Sequence, residues 1–279
     1  MSRVLLLGRG GQLGFELEKL LPDVGELIAL DRNSLDISHL QSVKHKIEEL
    51  RPDIIVNAAA YTAVDKAEDD EIACYAANAS AVATIAREAK KIGALFVHYS
   101  TDYVFDGSKK EPYLESDEPN PINFYGYSKL MGEEAVKYSG CDYLIFRVAW
   151  VYHPHYGSNF YRTIERVAKE REELRVVNDQ IGVPNDARWL AKKSVEILKK
   201  PLDELRQKSG LYHLSDEGVT TWYEFAKTIV ENIPKADRKC KLITPISTAE
   251  YPMAAKRSLY SVLCVDKLRD VFSSNFKLE

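Results

Sequence analysis

Cysteine is scarce and scattered in this chain: Cys74, Cys141, Cys240 and Cys264 are the four among 279 residues. No Cys-x-x-Cys pair occurs and no histidine spacing suits zinc, which argues against a disulfide scaffold and a structural zinc site. A reduced, cytoplasmic protein is the simple expectation. Long apolar runs are missing too. The N-terminal run Val4–Leu7 is far too short for a signal peptide or a bilayer span, and no later segment is long enough. Strong charge of either sign is absent: 38 basic against 42 acidic residues leave −4 with a pI near 6.0, which argues against a general binder of nucleic acid or membrane surface. Repeats and low-complexity tracts are lacking. What remains, 45% hydrophobic and 29% charged residues, is ordinary globular composition, long enough for one large domain or one and a half.

Apolar patterning supplies the layout. Val4–Leu7, Glu26–Leu30, Ile54–Ala58, Ala94–Ser100 and Tyr143–Ala149 read as buried parallel strands. Between them lie helical spacings at 12–21, Leu40–Leu50, Glu71–Lys91 and Lys129–Tyr138. This alternation predicts an α/β fold, a doubly wound parallel sheet of Rossmann type. After Trp150 the rhythm changes, with helices expected near 159–171, 186–200 and 221–232 and strands at Leu174–Val177 and Leu211–Leu214. Residues 1–150, receiving parts of about 174–215, are expected to form a dinucleotide-binding domain. Residues 151–279 would mainly build a smaller α+β substrate domain.

Gly8-Arg9-Gly10-Gly11-Gln12-Leu13-Gly14 stands where the first strand gives way to the first helix. Glycine at 8 permits a tight turn, at 11 a close phosphate approach, and at 14 close helix–strand packing. The helix start would offer its free N–H groups to a pyrophosphate, with Gln12 and Leu13 in contact. Asp31 ends the second strand, where a carboxylate can read a ribose hydroxyl. Arg32 beside it suits the 2′-phosphate of NADP instead, so NADH and NADPH both stay open. Asp36 and Ile37 are candidates for the adenine pocket, or simply a helix start. Ala58, Ala59 and Ala60 close the third strand with small side chains that let main chain approach a cofactor.

Two further strings carry chemistry. Ser100-Thr101-Asp102 closes the fourth strand at the same sheet edge, where a hydroxyl can bond a substrate carbonyl. Tyr125 and Lys129 stand four apart, one helical turn, so an ammonium beside a phenol is expected to pull the phenol toward neutrality as a proton donor. Tyr127, two residues on, faces another side.

Glycine turn, strand-end threonine and Tyr-x-x-x-Lys, in this order, resemble the extended short-chain dehydrogenase/reductases. The strings Asn57 through Glu68, Ser100 through Gly107, Phe146 through Tyr152 and Asn178-Asp179-Gln180 are similar to the branch that reduces the 4-keto group of dTDP-4-dehydro-L-rhamnose. The resemblance runs from residue 1 to about 230. It implies Tyr125 as general acid, Lys129 on the nicotinamide ribose and Thr101 on the keto group. It also implies NADPH or NADH as cofactor, a dTDP-sugar as substrate, and contacts to that sugar from Thr62, Val104, Phe105 and Trp150. A homodimer is one expected assembly. An epimerase of the same superfamily, or a cofactor-binding regulatory subunit, remains an alternative. A dehydratase would need a second acid after Thr101.

Some relatives are bridged by magnesium. Glu16 fits one such carboxylate, but Arg188 replaces another, and the chain is expected to stop short of the usual C-terminal helix. No metal site is therefore expected. His153-Pro154-His155 could look like paired metal ligands, but Tyr156-Gly157-Ser158-Asn159 after it reads as an exposed loop and no acidic partner lies nearby in sequence, so metal binding is not expected; Leu278-Glu279 are assigned no function.

Overall fold

The computed structural model describes residues 2–272, which leaves Leu278 and Glu279 outside the described residues. Its centre is a six-stranded parallel sheet. In chain order the strands are β1 (Ser2–Leu7), β2 (Gly25–Leu30), β3 (Ile54–Asn57), β4 (Leu95–Thr101), β5 (Tyr143–Val148) and the segment Gly210–His213. Their order across the sheet is Gly210–His213, β5, β4, β3, β1, β2. The chain runs one way from β1 to β2 and returns on the other side with β3. The reversal opens a crevice at the C-terminal end of β1, where the glycine turn sits.

Successive residues of β1 feed opposite cores, as strand geometry demands. Val4 and Leu6 join Leu13 and Leu17 of α1 (Gln12–Leu20) on one face, with Leu190 and Ala191 of a later helix, Ala187–Leu198. Leu5 and Leu7 join Val43 and Ile47 of α2 (Leu40–Leu50) and Val82 and Ile85 of α4 (Ala81–Ile92) on the other. Helices therefore cover both faces, the doubly wound architecture expected. A separate apolar cluster lies outside the sheet, where Ile164, Leu174, Phe225 and Ile229 meet. It belongs to helices Phe160–Glu170 and Trp222–Glu231 and the parallel strands Glu173–Val177 and Leu242–Ile246.

The expected helix at 71–91 is interrupted. α3 (Glu71–Tyr75) passes through a π turn at Ala76–Ser80 before α4 resumes. The wider turn puts Asn78 inward, where its side chain bonds both main-chain groups of Tyr61 and the Ser128 hydroxyl. Helix α5 (Phe124–Ser139) starts five residues before the expected Lys129. Asn123 caps it by accepting from the Gly126 N–H at 2.8 Å, so Tyr125 lies in the first turn and shares a face with Lys129. No helix among the described residues is long and apolar enough to cross a membrane.

Candidate active site

The three glycines of the turn are there for different reasons. Gly8 has φ +86°, and a Cβ there would sit 2.5 Å from the Ala59 nitrogen. A Cβ on Gly14 would overlap the Gly8 carbonyl oxygen, so α1 can lie against β1 only without a side chain. Gly11 is different. Its backbone is extended (φ −82°, ψ 164°), and a Cβ would meet nothing of the protein nearer than 3.4 Å. No side chain caps the helix that follows. Free N–H groups, a positive helix end and an uncrowded approach fit a dinucleotide phosphate. Ala58 and Ala59 border the turn, Leu13 is buried beneath it, and Gln12 accepts from Asn159 at 2.6 Å.

At the end of β2, Asp31 is already occupied. One oxygen accepts from the Ser34 N–H and hydroxyl at 2.9 and 2.8 Å, the other from Arg9 at 3.2 Å. The Ser34 bonds, helped by Arg9, hold its carboxyl down at about 2. Arg9 also bonds Glu18 at 2.9 Å. Sequence reasoning weighed Arg32 and passed over Arg9, although Arg9 lies inside the glycine turn itself. Arg32 points to solvent, 86% exposed, against Asp36 at 3.0 Å. Asp36 also accepts from Ser38, and Ile37 packs into the core beside Val43, so these two side chains have structural partners.

At the neighbouring sheet edge Thr101 ends β4, buried, its hydroxyl donating to Asp102 at 3.0 Å and accepting from the Tyr103 N–H. Tyr125 stands edge-on to Tyr103, ring centres 5.6 Å apart, and is 9% exposed. Here the sequence expectation needs correction. Burial pushes the phenol's pKa up rather than down, with Asp102 adding to the rise and a Thr101 hydrogen bond opposing it. The Lys129 ammonium is held elsewhere: Nζ donates to the Tyr99 carbonyl at 2.6 Å and lies 3.5 Å from His98 Nε2. Burial lowers Lys129 to about 8, against the pull of Glu133. Burial likewise lifts Asp102 to about 6, partly offset by the Ser261 and Thr101 hydroxyls. Glu133 itself is fully buried, bonded by Ser100 at 2.5 Å and by Arg147 at 2.9 and 2.7 Å. That pair ties α5 to β4 and β5 and so fixes the face bearing Tyr125 and Lys129.

The expected sugar contacts divide. Thr62 is exposed. Val104 and Phe105 are fully buried, Phe105 stacked on Tyr113 at 4.1 Å, so their side chains pack the floor. Trp150 adopts φ +41°, strained for a bulky residue, and stacks on Trp222 with centres 3.5 Å apart. Gly182 makes room for it: a Cβ there would lie 2.5 Å from the indole. Trp222 is further fixed by donating to Gln180 at 3.1 Å. Nothing in its sequence neighbourhood marked Trp222 as a partner of Trp150. Tyr127 is 43% exposed and off the Lys129 face.

Gly157 and Ser158 of the expected loop are exposed, whereas His153 just before it is buried. It is 3% exposed and its Nε2 meets Glu16 at 2.8 Å, an acid 137 positions earlier that sequence proximity could not reveal. Glu16 also holds Lys19 at 2.6 Å, and Arg188 pairs with Asp186. A carboxylate shared by an ammonium and an imidazole, near a guanidinium, does not fit a divalent cation. Among the described residues no group of three or more His, Cys, Asp or Glu could hold a metal.

Residues 2–277 match the family model described as the RmlD substrate binding domain. The chain is 43% identical over 277 residues to the dTDP-4-dehydrorhamnose reductase of Burkholderia thailandensis, covering 97% of this chain and 93% of that one. It is equally identical over 281 residues to the Escherichia coli K12 enzyme of that name, covering 99% and 92%. The solved Bacillus anthracis dTDP-4-dehydrorhamnose reductase, in complex with NADP, superposes with a TM-score of 0.86 at 39% identity, covering 96% and 92%.

Proposed function

This chain belongs to the RmlD substrate binding domain family, and on that premise we propose that it reduces the 4-keto group of dTDP-4-dehydro-L-rhamnose to give dTDP-L-rhamnose. The observation that carries the reading is the convergence of Thr101, Tyr125 and Lys129 at the sheet edge beside the Gly8–Gly14 turn. Bound NADPH or NADH supplies the hydride. Gly8, Gly11, Gln12, Leu13 and Gly14 would hold its phosphates, Asp31 and Arg9, with the more exposed Arg32, would hold its adenosine ribose, and Ala58 to Ala60 would let main chain approach it.

The remaining chemistry belongs to protein groups. Thr101 donates to the keto oxygen and orients it. As negative charge grows on that oxygen, the Tyr125 phenol gives up its proton to it. An O–H bond forms on the sugar and a phenolate remains, and Lys129, one turn on, favours that phenolate and returns a proton. A phenol made less acidic by burial starts each cycle protonated, as a reductase's acid must. Thr101-Asp102-Tyr103 offers one acid where a dehydratase is expected to carry a pair, which favours the reductase over a dehydratase.

Residues 1–150, with the returning segments within about 174–215, form the cofactor half in this proposal, and 151–279 mainly the sugar half. Trp150, backed by Trp222, walls the sugar side, with Thr62 at its edge and Val104 and Phe105 beneath. The enzyme works in the cytoplasm, where its four free cysteines stay reduced. We propose a homodimer on family membership; light scattering reads the mass, and a monomer sinks that part. The activity is tested with purified protein, NADPH and dTDP-4-dehydro-L-rhamnose. Nicotinamide absorbance falls in step with dTDP-L-rhamnose if the proposal holds, and stays level if it does not.

A further inference from the structure

Behind Lys129 lies a buried histidine that the mechanism above does not use. His98, in the middle of β4, has no exposed surface. Its Nδ1 stands 3.2 Å from Asn57 Nδ2 and its Nε2 3.5 Å from Lys129 Nζ. Burial, with the lysine beside it, keeps the ring well below its ordinary pKa. It is therefore neutral at working pH and holds one proton, on one nitrogen or the other.

Asn57 decides which. The Ala59 N–H donates to Asn57 Oδ1 at 3.1 Å, which fixes the amide oxygen toward the main chain and turns the NH₂ to the ring. An NH₂ group only donates, so Nδ1 must accept and the proton must sit on Nε2. The flipped amide would set NH₂ against the Ala59 N–H, two donors facing each other at a residue 1% exposed. An Nε2–H aimed at Nζ opposes an ammonium but can donate to the lone pair of an amine. Neutral Lys129 satisfies both neighbours, giving one N–H to Tyr99 and accepting from His98.

We infer that His98 carries its proton on Nε2 and, presented by Asn57, favours the neutral amine of Lys129, which makes it a positioning residue for the release of the lysine proton. Its consequence rests on the reductase reading. In each turnover the Tyr125 O–H breaks as the sugar O–H forms, then a Lys129 N–H breaks to rebuild the phenol. The amine left behind is the form His98 supports, and solvent returns the spent proton. Other groups act on Lys129 as well. Glu133 on α5 and Cys74 on α3 favour the ammonium, but Glu133 is engaged by the Arg147 guanidinium of β5 at 2.7 Å. Tyr125 lies one turn back on α5, and β3 offers Asn57.

Ring ¹⁵N shifts of His98, measured in the protein without cofactor, test the tautomer. A pyrrole-type Nε2 with a pyridine-type Nδ1 is expected from about pH 6 to 9; the reverse assignment overturns the inference. Asn57→Asp supplies a second test. A carboxylate accepts from both Ala59 N–H and Nδ1–H, so the ring shifts should exchange, leaving the Nε2 lone pair toward Lys129. The alkaline limb of the kcat profile should then rise by about one pH unit. Unexchanged shifts or an unmoved limb in the folded variant count against it. If the protein reduces no sugar at all, the ring shifts still decide the placement of the proton while the reductase reading falls by itself.

Discussion

A methyl group added at Gly11 and one added at Gly14 should fail for opposite reasons. At Gly14 the new Cβ overlaps the Gly8 carbonyl oxygen and lies 2.8 and 2.9 Å from the Gly8 carbonyl carbon and Arg9 Cα. All three are main-chain atoms, so no rotamer change relieves the clash. Helix α1 must move and lift Leu13 and Leu17 from the core, costing more than about 3 kcal/mol. At Gly11 the backbone already suits an L-residue and the Cβ sits at ordinary contact distance, 3.4 Å. There Gly11→Ala should stabilise by about 0.4–1 kcal/mol through a stiffer unfolded chain. Its methyl would instead stand where a phosphate approaches the free α1 N–H groups. Losing one charge-assisted hydrogen bond costs about 1.5–3 kcal/mol, or roughly 10- to 100-fold in affinity. Thermal unfolding and NADPH titration of the two variants separate these outcomes. Wild-type affinity in Gly11→Ala would mean the dinucleotide lies elsewhere, and wild-type stability in Gly14→Ala would refute the packing argument.

Tyr125→Phe should lose about 10²- to 10⁴-fold in kcat while keeping NADPH affinity; collapse of cofactor binding would mark a structural tyrosine instead. Arg9→Ala should weaken NADPH more than NADH and more than Arg32→Ala does, because Arg9 lies on Asp31 while Arg32 leans into solvent. Competitive KM values for both cofactors decide it, and a larger loss in Arg32→Ala sinks the idea. Asp102 titrates at about 6 in the fold against an ordinary 3.8, so the folded chain holds that proton more tightly than the unfolded chain. The stability it gives is complete below about pH 4 and lost as pH rises through about 6, about 3 kcal/mol in all. Asp102→Asn should abolish that slope in urea unfolding followed between those pH values, and an unchanged slope would assign it to other groups.

Legibility in the sequence followed the range of the interaction. The sheet was readable because β1, β3, β4 and β5 are largely buried on both faces and therefore spell out as short apolar runs, and the glycine turn because its constraint is local. Thr101, Tyr125 and Lys129 could be grouped from the sequence because a strand end and one-turn helical spacing set their places locally. What escaped depends on contacts between distant segments. Glu16 meets His153 across 137 positions, and Trp150 finds its stacking partner 72 positions on at Trp222. The π turn at Ala76–Ser80 is invisible in an alanine-rich helical run, since only its tertiary partners Tyr61 and Ser128 reveal why the backbone widens. The early start of α5 turns on the single side chain of Asn123.

The acidity of Tyr125 was the most instructive error, because spacing gives proximity to Lys129 but says nothing about desolvation. A phenol buried beside Asp102 resists ionising, a Thr101 hydrogen bond opposes that, and the Lys129 amine is bonded to Tyr99 instead. The same environment suits one half-reaction better than the other. An alkoxide forming on the sugar is a far stronger base than a phenolate, so a weakly acidic phenol still transfers its proton downhill. Alcohol oxidation would need that phenol ionised before the reaction begins, which burial opposes. Protonation of the resting site thus favours reduction, and in the proposed mechanism Lys129, lowered to about 8, would limit it on the alkaline side. Activity should hold below that pH and fall above it as the ammonium that restores the phenol is lost, whereas an alkaline limb unrelated to Lys129 would leave Tyr125 without its proton source.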